Sequence, residues 1–295
     1  MTTLPQQLDI FAHSRDVMLR NDVLQALEQR DAASARAAWR TLAGEFAADP
    51  ALPAMDLLTR VLERRDDRPL PDHDALARER HALAQEVATA ARQALGAEAS
   101  DAWLCPLWAA LAARCERLPF DATRADDHAA ALWLRAGHWQ AAAQAAQRIE
   151  SWRRIAAPLA WMLEARLRLG GLDESWALLV ELAWLAPSRL EALLRHLRDP
   201  LLTRLHKRFD VAFDSDGPSA ELAWLPAWLL TQTPALAPHL ALAQVSLHSD
   251  AERGMRLMLE LLGLERQGRH REIVQHRRAL RDLHAPLYAA YMATR

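Results

Sequence analysis

Residues 123–187 read TRADDHAAALWLRAGHWQAAAQAAQRIESWRRIAAPLAWMLEARLRLGGLDESWALLVELAWLAP. Runs rich in Ala and Leu alternate with breakers: Gly137, then Gly170-Gly171, then Pro187. Glycine accepts the left-handed backbone that ends a helix, and proline cannot continue one. At the front, Thr123 followed by Asp126 is a helix-capping pattern. The spacing predicts four helices: one ending at Gly137, then Trp139 to Ile149, Ile155 to Leu169 and Leu172 to Leu185. Short turns leave these as two helix-turn-helix pairs. A pair has one apolar face that it cannot bury alone, so neighbouring pairs stack.

The same punctuation extends outward. Leu19 to Phe46 predicts two helices, with Asn21 as N-cap and Arg30-Asp31 as the turn. Ala35, Trp39, Leu42 and Phe46 form an apolar stripe at helical spacing. Further helices are predicted over Ala54 to Leu62, Ala75 to Leu95 and Trp103 to Leu118. Beyond Pro187, Ser188 with Glu191 opens a helix, Pro200 starts another, and Phe209 to Pro218 is a loop. Ser249 with Glu252 opens a helix to Arg266, His270 to Leu283 follows, and a short last helix carries Tyr288 and Tyr291. Residues 63–74 are charged and broken by Pro69 and Pro71. They divide an N-terminal helical segment, 1–66, from a main body, 75–295, or lie within one continuous domain, 1–295.

Composition supports the all-α class. Strand-favouring Val, Ile, Thr and Tyr are sparse, and there are nine glycines, too few for a turn-rich β protein. A formal charge of −2 supplies no global field to gather nucleic acid. Lys207 is the only lysine among 36 basic residues, so the arginine richness reads as compositional bias rather than a phosphate signature. Cys105 and Cys115 on one helix would stand about 15 Å apart, too far for a bridge. Two free thiols point to a reducing compartment, and Met1 to Arg20 lacks a signal-peptide pattern, so a cytoplasmic location is expected. Leu222 to Leu247 carries no charge, but Pro226, Pro234 and Pro238 interrupt it. Short buried helices are expected there rather than a membrane span.

On these residues the chain resembles the tetratricopeptide-like helical repeat. Gly137-His138-Trp139-Gln140-Ala141-Ala142 has the family's glycine turn and a small contact residue, Ala142. Gly170-Gly171-Leu172-Asp173-Glu174-Ser175 is similar, with Ser175 in the contact role and Pro187 closing the unit. Positions 137 and 170 lie one residue short of the family's repeat of about 34. Arg30-Asp31 with Ala35 and Trp39, and Gly268-Arg269-His270 with Ile273, are partial copies. The resemblance spans roughly two fifths of the chain. It implies stacked antiparallel helix pairs forming an α-solenoid, a right-handed superhelix, and a protein or peptide as partner.

Ten of the eleven tryptophans fall between Trp103 and Trp228. Tryptophan anchors cores and interfaces alike. Trp139, Trp152, Arg153, Arg154, Trp176, Trp224 and Trp228 are the partner-binding candidates, with core packing as the competing role. Trp152 stands beside two arginines in a turn and is the best candidate for an exposed ring. Leu205-His206-Lys207-Arg208 is a small basic cluster, and the arginines between 266 and 281 read as a solvated helix face. No histidine pair has i, i+4 spacing, and there is no HExxH, CxxC, phosphate loop or nucleophile elbow. Asp72-His73-Asp74 reads as linker or helix cap. No catalytic residue, metal site or cofactor is expected. The sequence thus favours a protein-interaction scaffold without catalysis. The competing function is a small-molecule binder or enzyme whose pocket is assembled from distant helices. Neither membrane nor nucleic acid is favoured as a partner, and nothing sets an oligomeric state.

Overall fold

The computed structural model describes residues 6–64, 66–213, 219–246 and 249–295. Every regular element among them is helical. They form two compact units, one ending at His138 and the other beginning at Trp139. The proline-broken segment 63–74 therefore lies inside the first unit. Its Leu70 amide donates to the Arg114 carbonyl at 2.9 Å, and Arg114 Nε donates to the Arg68 carbonyl at 2.9 Å. Charge and proline mark a loop here, but a loop hydrogen-bonded to a neighbouring helix separates nothing.

The first unit comprises α1 (Gln6–Glu28), α2 (Ala32–Glu45), α3 (Leu52–Glu63), α4 (His73–Ala82), α5 (Ala88–Leu95), α6 (Ala97–Arg114) and α7 (Ala129–Arg135). One π-helical turn, Leu83–Val87, joins α4 to α5. Consecutive helices pack: α1 on α2, α2 on α3, α3 on α5, α5 on α6 and α6 on α7. α1 starts well before Asn21, which sits mid-helix and caps nothing. No breaker stands between residues 6 and 20, and Arg20 pairs with both Asp16 and Asp49. Asp31 caps α2, accepting the Ala33 and Ser34 amides at 3.1 Å. Arg30 adopts a left-handed φ of 56° at the turn. Its Nη1 donates to the Trp103 carbonyl at 2.7 Å, while Trp103 Nε1 donates back to the Leu27 carbonyl at 2.8 Å.

Thr123 does not cap α7. Asp121 caps a 3₁₀ turn over Ala122–Arg124, and His128 Nδ1 accepts the Ala130 amide at 3.1 Å to open α7. Asp72 caps α4 by accepting the Ala75 amide at 2.8 Å. His73 is hydrogen-bonded to the Pro119 carbonyl at 2.9 Å, and Asp74 pairs with Arg124. Cys105 and Cys115 are both free thiols. Burial pushes the Cys115 thiol up to about 12, so at neutral pH it stays protonated and weakly nucleophilic.

The second unit comprises α8 (Trp139–Gln147), α9 (Ala156–Gly170), α10 (Trp176–Leu185), α11 (Pro187–Leu197), α12 (Pro200–Ala212), α13 (Leu225–Gln232), α14 (Ala237–Leu240), α15 (Asp250–Gln267), α16 (His270–Leu283) and α17 (Ala285–Met292). α8 packs on α9, α9 on α10 and α10 on α11, while α15 packs on α13 and α16. Ala142 and Ser175 are fully buried, where a larger side chain would force the helices apart. α11 opens on Pro187 with Ala186 as N-cap, not through Ser188. Proline at the first helical position loses no needed N–H. Ser249 does cap α15, its Oγ accepting the Glu252 amide at 3.1 Å. The predicted loop from Phe209 is helical as far as Ala212, and residues 214–218 lie outside the described residues. The charge-free stretch becomes a 3₁₀ turn (Ser219–Trp224), α13 and α14, with Leu247 outside the described residues. No described helix is long and apolar enough to cross a membrane.

His284 closes this unit. Its ring stacks on Trp224 at 3.8 Å and on Phe213 at 5.6 Å, and its Nδ1 accepts the Leu287 amide at 3.1 Å, capping α17. An imidazole accepting through Nδ1 must be neutral. Burial lowers its pKa below the ordinary 6.5, against an opposing pull from the Glu221 carboxylate. The unfolded chain therefore takes up this proton before the native state does. The stabilisation is complete above pH about 6.5 and is lost as pH falls from there through the folded value. Urea unfolding of wild type and His284→Asn at pH 7.5 and pH 5 should show a smaller pH dependence in the variant, because asparagine caps without titrating. Equal dependence would exclude His284 as a source.

Candidate functional site: a basic groove

The site grows from one corner of the chain. Arg198 ends α11 in the left-handed region, φ 51°. Asp199 then accepts the Leu202 amide at 2.8 Å, and Pro200 occupies the first turn of α12. Cap and proline together start the new helix immediately. Along α12, Leu202 and Phe209 are seven residues apart, two helical turns, and both are buried. Phe209 meets Trp228 of α13 edge-on at 5.6 Å. That contact turns the basic side of α12, with Arg204, Lys207 and Arg208, away from the core.

A groove of about 1200 Å³ results between the end of α11, α12 and α13. Leu194, Pro200, Val211 and Trp228 supply its apolar lining. Val211 is 82% exposed, unusual for a branched aliphatic. Arg195, Arg198, Arg204, Lys207 and Arg208 supply positive charge. Two of these five are engaged: Arg195 pairs with Glu191 at 3.2 Å, and Arg208 Nη2 donates to Gln232 Oε1 at 2.7 Å. His206 stands 3.6 Å from Asp210. Arg198, Arg204 and Lys207 have no side-chain hydrogen bond or ion pair among the described residues. Three uncommitted cations thus stand beside the exposed apolar side chains Val211 and Pro200.

The seven predicted residues do not converge. Trp228, 1% exposed, is a core residue whose ring backs the groove. Trp176, 3% exposed, is also core. Its helix, WALLVELAWL, carries one charged residue, Glu181, itself buried, and only Leu185 at its end is exposed. Trp224 is half-buried against His284, and Trp139 is half-buried with the Arg168 guanidinium 5.5 Å from its ring. Trp152 is half-buried too, with Arg153 5.4 Å from its ring. Arg153 and Arg154 line a second, smaller pocket together with Trp184. Within the groove, the sequence singled out His206, Lys207 and Arg208 as a cluster but missed Arg195, Arg198 and Arg204. The signal lay in the Arg198-Asp199-Pro200 corner, which brings two helix ends to one place. Among the described residues no three His, Cys, Asp or Glu side chains gather as a metal site. No family model, curated protein or solved structure matches the chain.

Proposed function

We propose that the chain is a helical-repeat binding scaffold whose groove along α12 holds an acidic segment of a partner protein. The observation that carries this is the set of three uncommitted cations, Arg198, Arg204 and Lys207, beside an apolar lining. Guanidinium groups stay charged and neither give nor take protons near neutrality, so their work is electrostatic holding rather than acid–base catalysis. The exposed part of the apolar lining favours peptide over nucleic acid, because a phosphate backbone would use the cations and leave Val211 and Pro200 uncovered. The repeat architecture is supported within the second unit, where α8 packs on α9, α9 on α10 and α10 on α11, with the small residues Ala142 and Ser175 fully buried.

The test is fluorescence anisotropy with a labelled peptide alternating glutamate and leucine. Arg204 and Lys207 are exposed, so Arg204→Glu/Lys207→Glu should leave circular dichroism and the thermal midpoint unchanged. Affinity for the peptide is expected to fall by about 10- to 100-fold. Equal binding by the double variant would overturn the assignment. So would an oligonucleotide of equal charge that binds more tightly and displaces the peptide.

A further inference from the structure

We propose that the second pocket, bounded by the turn at 152–154, α10, Gln244, Val245, Ser246 and Ser249, binds a small carboxylate bearing an apolar tail. The site is separate from the groove and does not depend on the function proposed for it. Its cavity is about 400 Å³, within the range of small-molecule sites.

The polar inventory decides the sign of the ligand. Acceptors here are already used. Glu181, buried, accepts the Gln244 amide through Oε1 at 2.8 Å, and its Oε2 lies 3.0 Å from Arg153 Nε. Behind the wall, Glu252 accepts the Ser246 amide at 2.9 Å and the Ser246 hydroxyl. Donors are in surplus. Trp184 Nε1 is buried without an acceptor, and Arg153 Nε, close as it is to Glu181, has no well-directed hydrogen bond. Arg256, 5.6 Å from the Trp184 ring, lies behind the wall and donates to the Ala243 carbonyl at 2.9 Å. Arg154 is exposed and has no ion pair among the described residues. The Trp184 Nε1 and Arg153 Nε atoms are covered, so the donors that face the cavity are the guanidinium ends of its lining arginines, Arg153 and Arg154, and a carboxylate is the acceptor they match best.

The charge at the wall fits a monoanion: Arg153 and Arg154 against Glu181. A dianion would meet the Glu181 carboxylate at close range. Burial raises the Glu181 pKa, which eases the approach of one further negative charge. The mouth supplies the tail's environment. Leu185 and Val245 line it and are 45% and 65% exposed. A carboxylate head at Arg154 and Trp184 would lay its tail over these two side chains.

Isothermal titration of the full chain with octanoate tests the site, with octan-1-ol and acetate as single-feature probes. Octanoate should bind one to one, and the alcohol and acetate each about tenfold or more weaker. Trp184→Phe removes the N–H together with the five-membered ring, and Arg154→Gln changes an exposed side chain. Each should weaken octanoate about fivefold or more at unchanged circular dichroism. If one variant unfolds, the other decides. The groove variant Arg204→Glu/Lys207→Glu should bind octanoate as wild type does. Equal affinity for octanoate and octanol, absence of octanoate binding at millimolar concentration, or undiminished binding by both pocket variants overturns the proposal. Loss of octanoate binding in the groove variant also overturns it, and leaves the acidic-peptide assignment standing.

Discussion

Replacement of Trp228 by alanine is expected to destabilise the C-terminal unit by about 4 kcal/mol. The ring is 1% exposed and among the largest fully buried side chains. Phe209 packs edge-on against it at 5.6 Å, and the Arg208 guanidinium stands 5.9 Å from its centre. Its indole Nε1 has no hydrogen-bond partner, so the loss is one of packing and cavity formation rather than of a polar contact. Trp228→Phe keeps a ring in the same place and should cost only about 1–2 kcal/mol. Urea unfolding followed by circular dichroism separates the two. A loss below about 1 kcal/mol for alanine would place Trp228 outside the core. Since the same ring seats α12, the alanine variant should also bind the acidic peptide poorly, whereas the phenylalanine variant should retain it.

A comparable loss, about 3–5 kcal/mol, is expected for Glu252→Ala. This carboxylate is fully buried at the third position of α15, three residues after its Ser249 cap. It accepts both the amide and the hydroxyl of Ser246, and Arg256 Nη2 lies 3.7 Å away. Arg256 in turn donates to the Ala243 carbonyl at 2.9 Å. One side chain therefore holds the segment before α15 to the start of that helix. Alanine strands two donors and a guanidinium at once. Glutamine keeps the shape and one acceptor, and should fall between alanine and wild type. Thermal melts paired with amide exchange across α15 would reveal the order. An alanine variant as stable as glutamine would show that the carboxylate carries no such charge-dependent role.

Most of the helical outline was legible because breakers are local. Gly137, Gly171, Gly268, Pro187, Pro200 and Pro286 each act on their own backbone, whatever surrounds them. Predicted helices at 139–149, 155–169 and 270–283 fall within two residues of α8, α9 and α16 at each end. Caps were less legible, since an Asn, Ser or Thr caps only where a helix happens to begin. Asn21 lies inside α1, Ser188 lost the role to Ala186, and Thr123 lost it to His128, which caps α7 through Nδ1 as His284 caps α17.

The site was read least well. Tryptophans drew attention by rarity, but rarity does not distinguish an anchor in the core from one at the surface. Trp176 and Trp228 went inside because every face of their helices is covered. Taken singly, the groove cations are ordinary surface side chains, four arginines and Lys207. They become a set only through the fold of α11 back along α12, and that proximity is tertiary. Trp184 became notable through its place in the wall of a cavity beside Arg153 and Arg154, a property of its surroundings and invisible in the string of letters.

Lys207 closes the matter in a practical way. Every other cationic side chain in the protein is a guanidinium, so the groove holds the sole side-chain primary amine. An N-hydroxysuccinimide ester has one side-chain target, in this cleft, and spares 35 arginines. At mildly alkaline pH Lys207 competes for it only with the chain's α-amino terminus, and a carbodiimide could join a bound carboxylate to the Lys207 nitrogen. The cleft thus comes with its own chemical address, at which a dye, a photoprobe or a captured ligand can be attached without altering a residue.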